Sequence, residues 1–189
     1  MGRFFGGVHP DYNKDLTRGK PIETMPLPGR LVVYLSQNLG APATAVVKKK
    51  DEVRKGQVIA EAGGFVSTPV HAPTSGVVAA IDTFPHPVGT DLPAIVIEAD
   101  GEDRWAEGCD VERDVDGLSA DGIKELVLGG GLVGMGGATF PTHVKLSPPP
   151  EKPIDVLVLN GAECEPYLSA DHRLMAEHAA GILDGAALL

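Results

Sequence analysis

Cysteine is almost missing from this chain. Two residues, Cys109 and Cys164, stand far apart and belong to no C-x-x-C pair, which leaves no metal ligand set: no zinc site and no iron–sulfur ligands. Positive charge is also scarce. Sixteen basic residues face 26 acidic ones, for a formal net charge of −10, so no nucleic acid is expected as a partner, because phosphate binding needs a basic face. No run approaches the roughly 20 apolar residues of a membrane span, so no transmembrane segment of its own is expected. The opening residues show no apolar h-region, which predicts no signal peptide. Low cysteine usage then favours a reducing, cytoplasmic-side location. What is present is a 43% hydrophobic chain of 189 residues, enough for one ordinary core or two small ones.

Residues 1–29 hold Gly6, Gly7 and four prolines without apolar periodicity, and read as an extended arm lying over a domain. His9 is read as a structural hydrogen-bonding residue. From Leu31 the pattern turns to β. Strand runs are expected at 31–35, 45–47, 53–60, 70–81 and 94–98, with turn signals every 8–12 residues, which means a small all-β barrel or sandwich. Asp51-x-Val-x-Lys-Gly-Gln-x-Ile59 followed by Val70-x-Ala-Pro-x-Ser-Gly-x-Val78 resembles the biotinyl/lipoyl carrier fold, a barrel-sandwich hybrid. Gly56 and Gly76 mark its tight turns. A carrier needs a lysine at the exposed hairpin tip. The tip here, residues 62–68, has none, and Lys55 falls before the preceding strand, so the fold is expected without the carrier function.

Residues 99–117 form a charged connector in which Trp105 is expected to pin the chain to a neighbouring face. The domain boundary is placed near residue 110. Ser119 is a fair N-cap for a helix over 119–128. Then comes the glycine-rich stretch 129–145, running into Phe140-Pro141-Thr142, which reads as a new helix start. Glycines let the backbone approach a ligand closely, and a helix start aims N–H groups and a positive dipole end at an anion. Lys145, one turn in, would reach that anion. The stretch lacks the Gly-Lys-Ser/Thr of the Walker pattern and follows a helix rather than a strand, so neither common nucleotide fingerprint applies. On the pattern alone, ligand binding and tight packing stay open.

After the proline-rich spacer 147–153, residues 154–159 are nearly all apolar, the mark of a strand buried on both faces. It leads to Asn160-Gly-Ala-Glu-Cys-Glu-Pro-Tyr167. This is α/β order, in which ligands bind beyond the carboxyl ends of strands, so loops 129–145 and 160–167 are expected to face one crevice. The Asn160 amide can both donate and accept. Glu163 and Glu165 bring two carboxylates, and their charge disfavours a thiolate at Cys164 between them. Residues 171–189 read as one helix that stops without a cap, which predicts more chain beyond it.

The loop Gly134-Met-Gly-Gly-Ala-Thr-Phe-Pro-Thr-His-Val-Lys145 with Asn160-Gly-Ala-Glu-Cys-Glu-Pro166 resembles the flavin-binding core of the NADH-oxidising flavoprotein subunit of respiratory complex I. Gly6-Gly-Val-His-Pro10, Gly40-Ala-Pro-Ala43, Lys55-Gly-Gln57, His71-Ala72, Ser75-Gly76 and Asp171-His-Arg-Leu-Met-Ala-Glu-His178 narrow this to a resemblance to RnfC, the family of C subunits of Rnf electron transport complexes. The resemblance implies a multidomain α+β chain: an arm (1–29), a barrel-sandwich hybrid (30–110) and the N-terminal part of an α/β FMN- and NADH-binding domain (111–189). It implies that Gly134, Gly136, Gly137 and Ala138 give FMN backbone N–H groups and clearance. Lys145 would neutralise its phosphate, and Asn160, Glu163 and Cys164 would line the isoalloxazine and ribityl side. Phe140 would stack on NADH, and Glu165 would bound the catalytic hydride-transfer site. Thr139 stands where both families usually have glycine, and a β-branched residue there resists φ > 0.

The implied activity is electron input to a membrane-associated, ion-translocating NADH:ferredoxin oxidoreductase. Hydride passes from NADH to FMN, and electrons then pass to 4Fe-4S clusters in a C-terminal part absent from this sequence. The implied partners are the complex's other subunits and, indirectly, ferredoxin, with the chain peripheral on the cytoplasmic side of the membrane. The alternative is a truncated, non-catalytic docking or scaffold fragment of such a complex.

Overall fold

The computed structural model describes Val8, residues 10–115 and residues 117–189. The expectations placed on Gly6, Gly7 and His9 lie outside the described residues. Contacts divide the chain into two units, Pro26–Pro153 and Met1–Met25 with Ile154–Leu189.

The first unit is built on seven strands: β1 (Arg30–Tyr34), β2 (Thr44–Ala45), β3 (Glu52–Val53), β4 (Val58–Glu61), β5 (Val70–His71), β6 (Gly76–Pro85) and β7 (Asp91–Ala99). One sheet has the order β1-β7-β6-β3 and the other β2-β4-β5, and all pairs are antiparallel. The strand expectations hold in place but not in extent: only Ala45 of 45–47 lies in a strand, 53–60 divides between β3 and β4, and 70–81 divides between β5 and β6. β6 and β7 run on into a long hairpin, pairing as far as Pro85 with Asp91, and no periodic apolar pattern announces residues 82–93.

The thin core between the sheets gathers Val33, Ile59, Val78, Ile95 and Ile97, all buried. Burying such a side chain contributes about 1.5–3 kcal/mol. In a core this small, the close approach of backbones matters as much as side-chain volume. A Cβ at Gly76 would lie 2.1 Å from the Glu98 carbonyl oxygen, so glycine alone lets β6 enter its pairing with β7.

The connector is fastened as expected. Lys55 N–H donates to Arg104 O at 2.9 Å, and Ala106 N–H returns to Lys55 O at 2.8 Å. The Lys55 ammonium meets Asp103 at 2.6 Å and lies 4.7 Å above the Trp105 ring, a cation–π contact. Beyond it come α1 (Ala120–Gly129) and α2 (Thr142–Lys145). Ser119 caps α1 by accepting from Gly122 N–H at 3.1 Å.

In the second unit, a 3-10 turn at Lys14–Leu16 and the strap around it hold α3 (Ala170–Glu177), which α4 (Ala179–Ala187) follows. Two expectations fail here. The helix read over 171–189 breaks at His178, whose φ of −129° and ψ of 33° leave the helical region. Residues 154–159 are not a buried strand. They pair with no strand among the described residues, and Val156 and Val158 are 68% and 77% exposed. A strand buried on both faces needs neighbours along both edges and layers above and below, and the described residues supply neither.

One polar cluster shows how the first unit depends on pH. Asp100 accepts from the Ser75 hydroxyl at 2.7 Å, Glu102 N–H at 2.9 Å and Arg104 at 2.8 Å. These bonds, the Ser75 bond first, hold its carboxyl at about 2 against an ordinary 3.8. The folded state favours the carboxylate, so this stabilisation is full above pH 3.8 and is lost as pH falls towards 2. Asp100→Asn should lower Tm at pH 7 and flatten the fall of Tm between pH 4 and 2. Parallel Tm-against-pH curves for the two proteins, followed by circular dichroism, would contradict this.

Candidate functional site: a pinched glycine loop and an acidic loop

The glycine-rich stretch leaves α1 through Gly131, which takes φ +66° and packs against the β5 hairpin. A Cβ there would meet Pro69 O at 2.9 Å and the His71 ring at 3.2 Å. The chain then folds back on itself. Val133 and Pro141 form an antiparallel bridge, Thr142 N–H donates to Leu132 O, and Gly134 N–H donates to Phe140 O, both at 2.9 Å. These bonds pinch residues 135–139 into a loop with a fixed base.

The expected helix start is therefore weaker than the sequence implies. α2 has a single turn, Pro141 contributes no N–H, and Thr142 N–H is spent on Leu132. An anion here would be held by the loop and Lys145 rather than by a helix dipole.

The loop and the lysine meet. A Cβ at Gly134 would stand 2.2 Å from Lys145 Nζ, so the ammonium occupies the space that any larger residue would fill. Gly134 offers clearance rather than a donor, since its N–H is engaged. Gly136 and Gly137 have open space above their Cα atoms. Gly137 and Ala138 N–H groups have no partner among the described residues. Lys145 is exposed and makes no ion pair among them. A cation over an open glycine backbone suits an anionic group attached to a flat body, so the residues fit a flavin phosphate. Phe140 is half-buried at the foot of the loop.

Thr139 takes φ +50°, the left-handed conformation that its β-branch resists. Its hydroxyl donates to Ala138 O at 2.7 Å. The pinch below it dictates this backbone, and the side chain conforms.

The acidic loop belongs to the other unit. Asn160 Oδ1 accepts from Ala162 N–H at 3.0 Å, which leaves its NH₂ as the part turned to other use. Glu163 Oε1 accepts from His172 N–H at 3.0 Å, in the first turn of α3, where a carboxylate also suits the helix dipole. Cys164 and Glu165 are exposed.

The N-terminal strap fixes the far side of this loop. Lys14 Nζ donates to Leu168 O at 2.6 Å and to Glu165 O at 3.3 Å, and the Thr17 hydroxyl donates to Tyr167 O at 2.7 Å. Ile22 N–H and Arg173 both reach Glu177, and Arg173 first, then Ile22, hold the Glu177 carboxyl below its ordinary value. These long-range strap contacts had no local signal in a segment of low periodicity. The structure thus brings Gly134, Gly136, Gly137, Ala138, Phe140 and Lys145 into one unit, and Asn160, Glu163, Cys164 and Glu165 into the other.

One residue beside the site escaped the sequence reading. His143, on α2, is buried and its Nε2 lies 2.9 Å from Phe65 O. Its only signal was a polar residue two positions before Lys145.

Residues 2–102 match the RnfC barrel sandwich hybrid domain, and residues 127–189 match the Nuo51 FMN-binding domain. The chain is 50% identical over 98% of its length to the C subunit of the proton-translocating ferredoxin:NAD(+) oxidoreductase complex of Clostridium ljungdahlii, covering 41% of that protein. It is 47% identical over 97% of its length to the Na(+)-translocating counterpart of Acetobacterium woodii, covering 42%. It is 46% identical over 97% of its length to the C subunit of the ion-translocating oxidoreductase complex of Rhodobacter capsulatus, covering 36%. The chain thus spans about two-fifths of the length of these relatives. Its fold class is a barrel-sandwich hybrid followed by an FMN-binding domain.

The left-handed Thr139 gives a direct test of the loop. A non-glycine residue in this region costs about 1–2 kcal/mol, so Thr139→Gly should raise Tm, offset in part by glycine's greater chain entropy. A lower Tm in thermal denaturation would mean that the loop does not impose this backbone.

Proposed function

This chain belongs to the RnfC family, and from that premise we propose that it binds FMN and NADH as the electron-input part of an ion-translocating ferredoxin:NAD oxidoreductase. The observation that carries the proposal is the Lys145 ammonium lying over Gly134 at the base of an open glycine loop. FMN, when bound, accepts two electrons as hydride from NADH and releases them singly to iron–sulfur clusters.

The chain's own residues bind and orient. Lys145 neutralises the phosphate by a charge-assisted contact. Gly137 and Ala138 offer N–H donors, Gly136 leaves room for the flavin, and Gly134 makes the space in which the Lys145 ammonium stands. Phe140 gives NADH a stacking face. The Asn160 NH₂ donates to the flavin edge, Glu163 holds its loop to α3 beside Cys164, and Glu165 bounds the face where hydride passes. This reading places the domain boundary in the connector near residue 110.

We place the 4Fe-4S clusters in the part of the longer relatives that has no counterpart in this sequence. The partners are then the complex's other subunits, with ferredoxin reached through them. No described helix is long and apolar enough to cross a membrane, and the placement we propose is peripheral, on the cytoplasmic side.

Titrating the chain into FMN should give saturable quenching of flavin fluorescence. Lys145→Ala should weaken that binding by about 1.5–3 kcal/mol, the range for a hydrogen bond to a charged group. Quenching that never saturates would remove the basis for a flavin site, and unchanged affinity in the variant would put the phosphate elsewhere.

A further inference from the structure

The residue that sets where Lys145 stands is not itself in the glycine loop. α2 is one turn long, too short to hold its own geometry, since an isolated turn fixes several dihedrals for one hydrogen bond. Its orientation must come from what it touches. Two of its fastenings run back to the glycine stretch, through Thr142 N–H to Leu132 O and through the Val133–Pro141 bridge. The third crosses to the barrel. His143 Nε2 lies 2.9 Å from Phe65 O, and the two rings meet edge to face with centroids 5.9 Å apart.

A carbonyl only accepts, so Nε2 carries the proton and donates. In the neutral ring Nδ1 is then an acceptor, and it is buried with no hydrogen-bond partner among the described residues. An apolar side chain would fill this position without that desolvation cost. What imidazole adds is the reach of its Nε2–H to the barrel.

Residues two positions apart on a helix lie about 200° apart around its axis. With His143 turned into the barrel, Lys145 is turned outward, and the structure shows the first buried and the second exposed over Gly134. Ser147 closes the turn by donating its hydroxyl to His143 O at 2.9 Å.

Phe65 belongs to the hairpin tip, which is itself stiffened. The Ser67 hydroxyl donates to Ala41 O at 2.8 Å and accepts from Gly63 N–H at 3.0 Å, and the Thr68 hydroxyl donates to Asn38 Oδ1 at 3.1 Å. In the carrier fold this tip bears a swinging group. Here it has no lysine and is tied at both ends.

We propose that the barrel's hairpin tip is a fixed strut for the flavin-phosphate site, and that His143 is the positioning residue through which the Phe65 carbonyl sets α2 and hence the Lys145 ammonium. The proposal rests on the reading of Lys145 as the phosphate contact.

The test compares His143→Gln with His143→Asn in the full chain, by FMN fluorescence titration, each also in a Lys145→Ala background. The glutamine NH₂ reaches about as far as Nε2 and keeps the donor, whereas asparagine falls short of Phe65 O. Both keep a polar side chain of moderate size, and melting curves confirm that each folds. We expect His143→Gln to bind FMN within about twofold of the parent and His143→Asn roughly three- to tenfold more weakly, the loss of one hydrogen bond. In the Lys145→Ala background the asparagine change should cost nothing further, because residues acting through one another are non-additive.

Equal affinities for the two His143 variants, or an undiminished effect without Lys145, would overturn the positioning role. If the parent chain binds no FMN, the flavin reading itself fails. If the parent binds and Lys145→Ala weakens binding while His143→Asn does not, only the strut fails.

Discussion

The burial of Ile95 and Ile97 on β7, between two small sheets, is the constraint from which the first unit follows. A core this thin has no slack. β6 must pair closely with β7, which only Gly76 permits, and the short strands of the second sheet must close over Ile59. That closure fixes the hairpin tip at residues 62–69. The tip in turn sets two things that belong to the glycine loop: Gly131 lies against the Pro69 carbonyl and the His71 ring, and His143 reaches Phe65 O. A β domain whose hairpin tip bears no lysine thereby becomes the footing of the glycine loop.

The second unit is held differently. Almost no large side chain among its described residues is buried, and its order comes from directed polar contacts between the N-terminal strap and the segment 163–177. Lys14, Thr17 and the Ile22 N–H each satisfy a backbone carbonyl or carboxylate that α3 and its preceding loop leave open. Such bonds are modest singly, about 0.5–1.5 kcal/mol each. They fix the acidic loop's backbone while leaving Glu165 exposed for other use.

The glycine loop carries backbone strain at Thr139. The bonds at the base of the loop impose a left-handed backbone on a β-branched residue. A glycine would meet that demand with less strain, yet the loop closes around threonine, whose hydroxyl turns back to Ala138 O. A Cβ at the neighbouring Gly136 or Gly137 would meet nothing within 4 Å, so the strained side chain stands beside that open space.

The sequence by itself determined the elements whose signals are local. Alternating β-branched residues with turn glycines announced the barrel and Ser119 announced α1, while the pattern of the glycine stretch by itself left ligand binding and tight packing open. Trp105 was legible as a pin because a lone aromatic in a charged connector has few other uses. Only the tertiary structure decided the rest. Residues 154–159 carry the apolar run of a buried strand, but strand formation needs partners and covering layers that no run of residues supplies for itself. The strap from Lys14 to Ile22 and the reach of His143 to Phe65 join residues dozens to over a hundred positions apart, and nothing in periodicity or propensity encodes a bond between such distant groups. The sequence could name Lys145 as the cation; where its ammonium stands depends on the carbonyl of Phe65, far back along the chain.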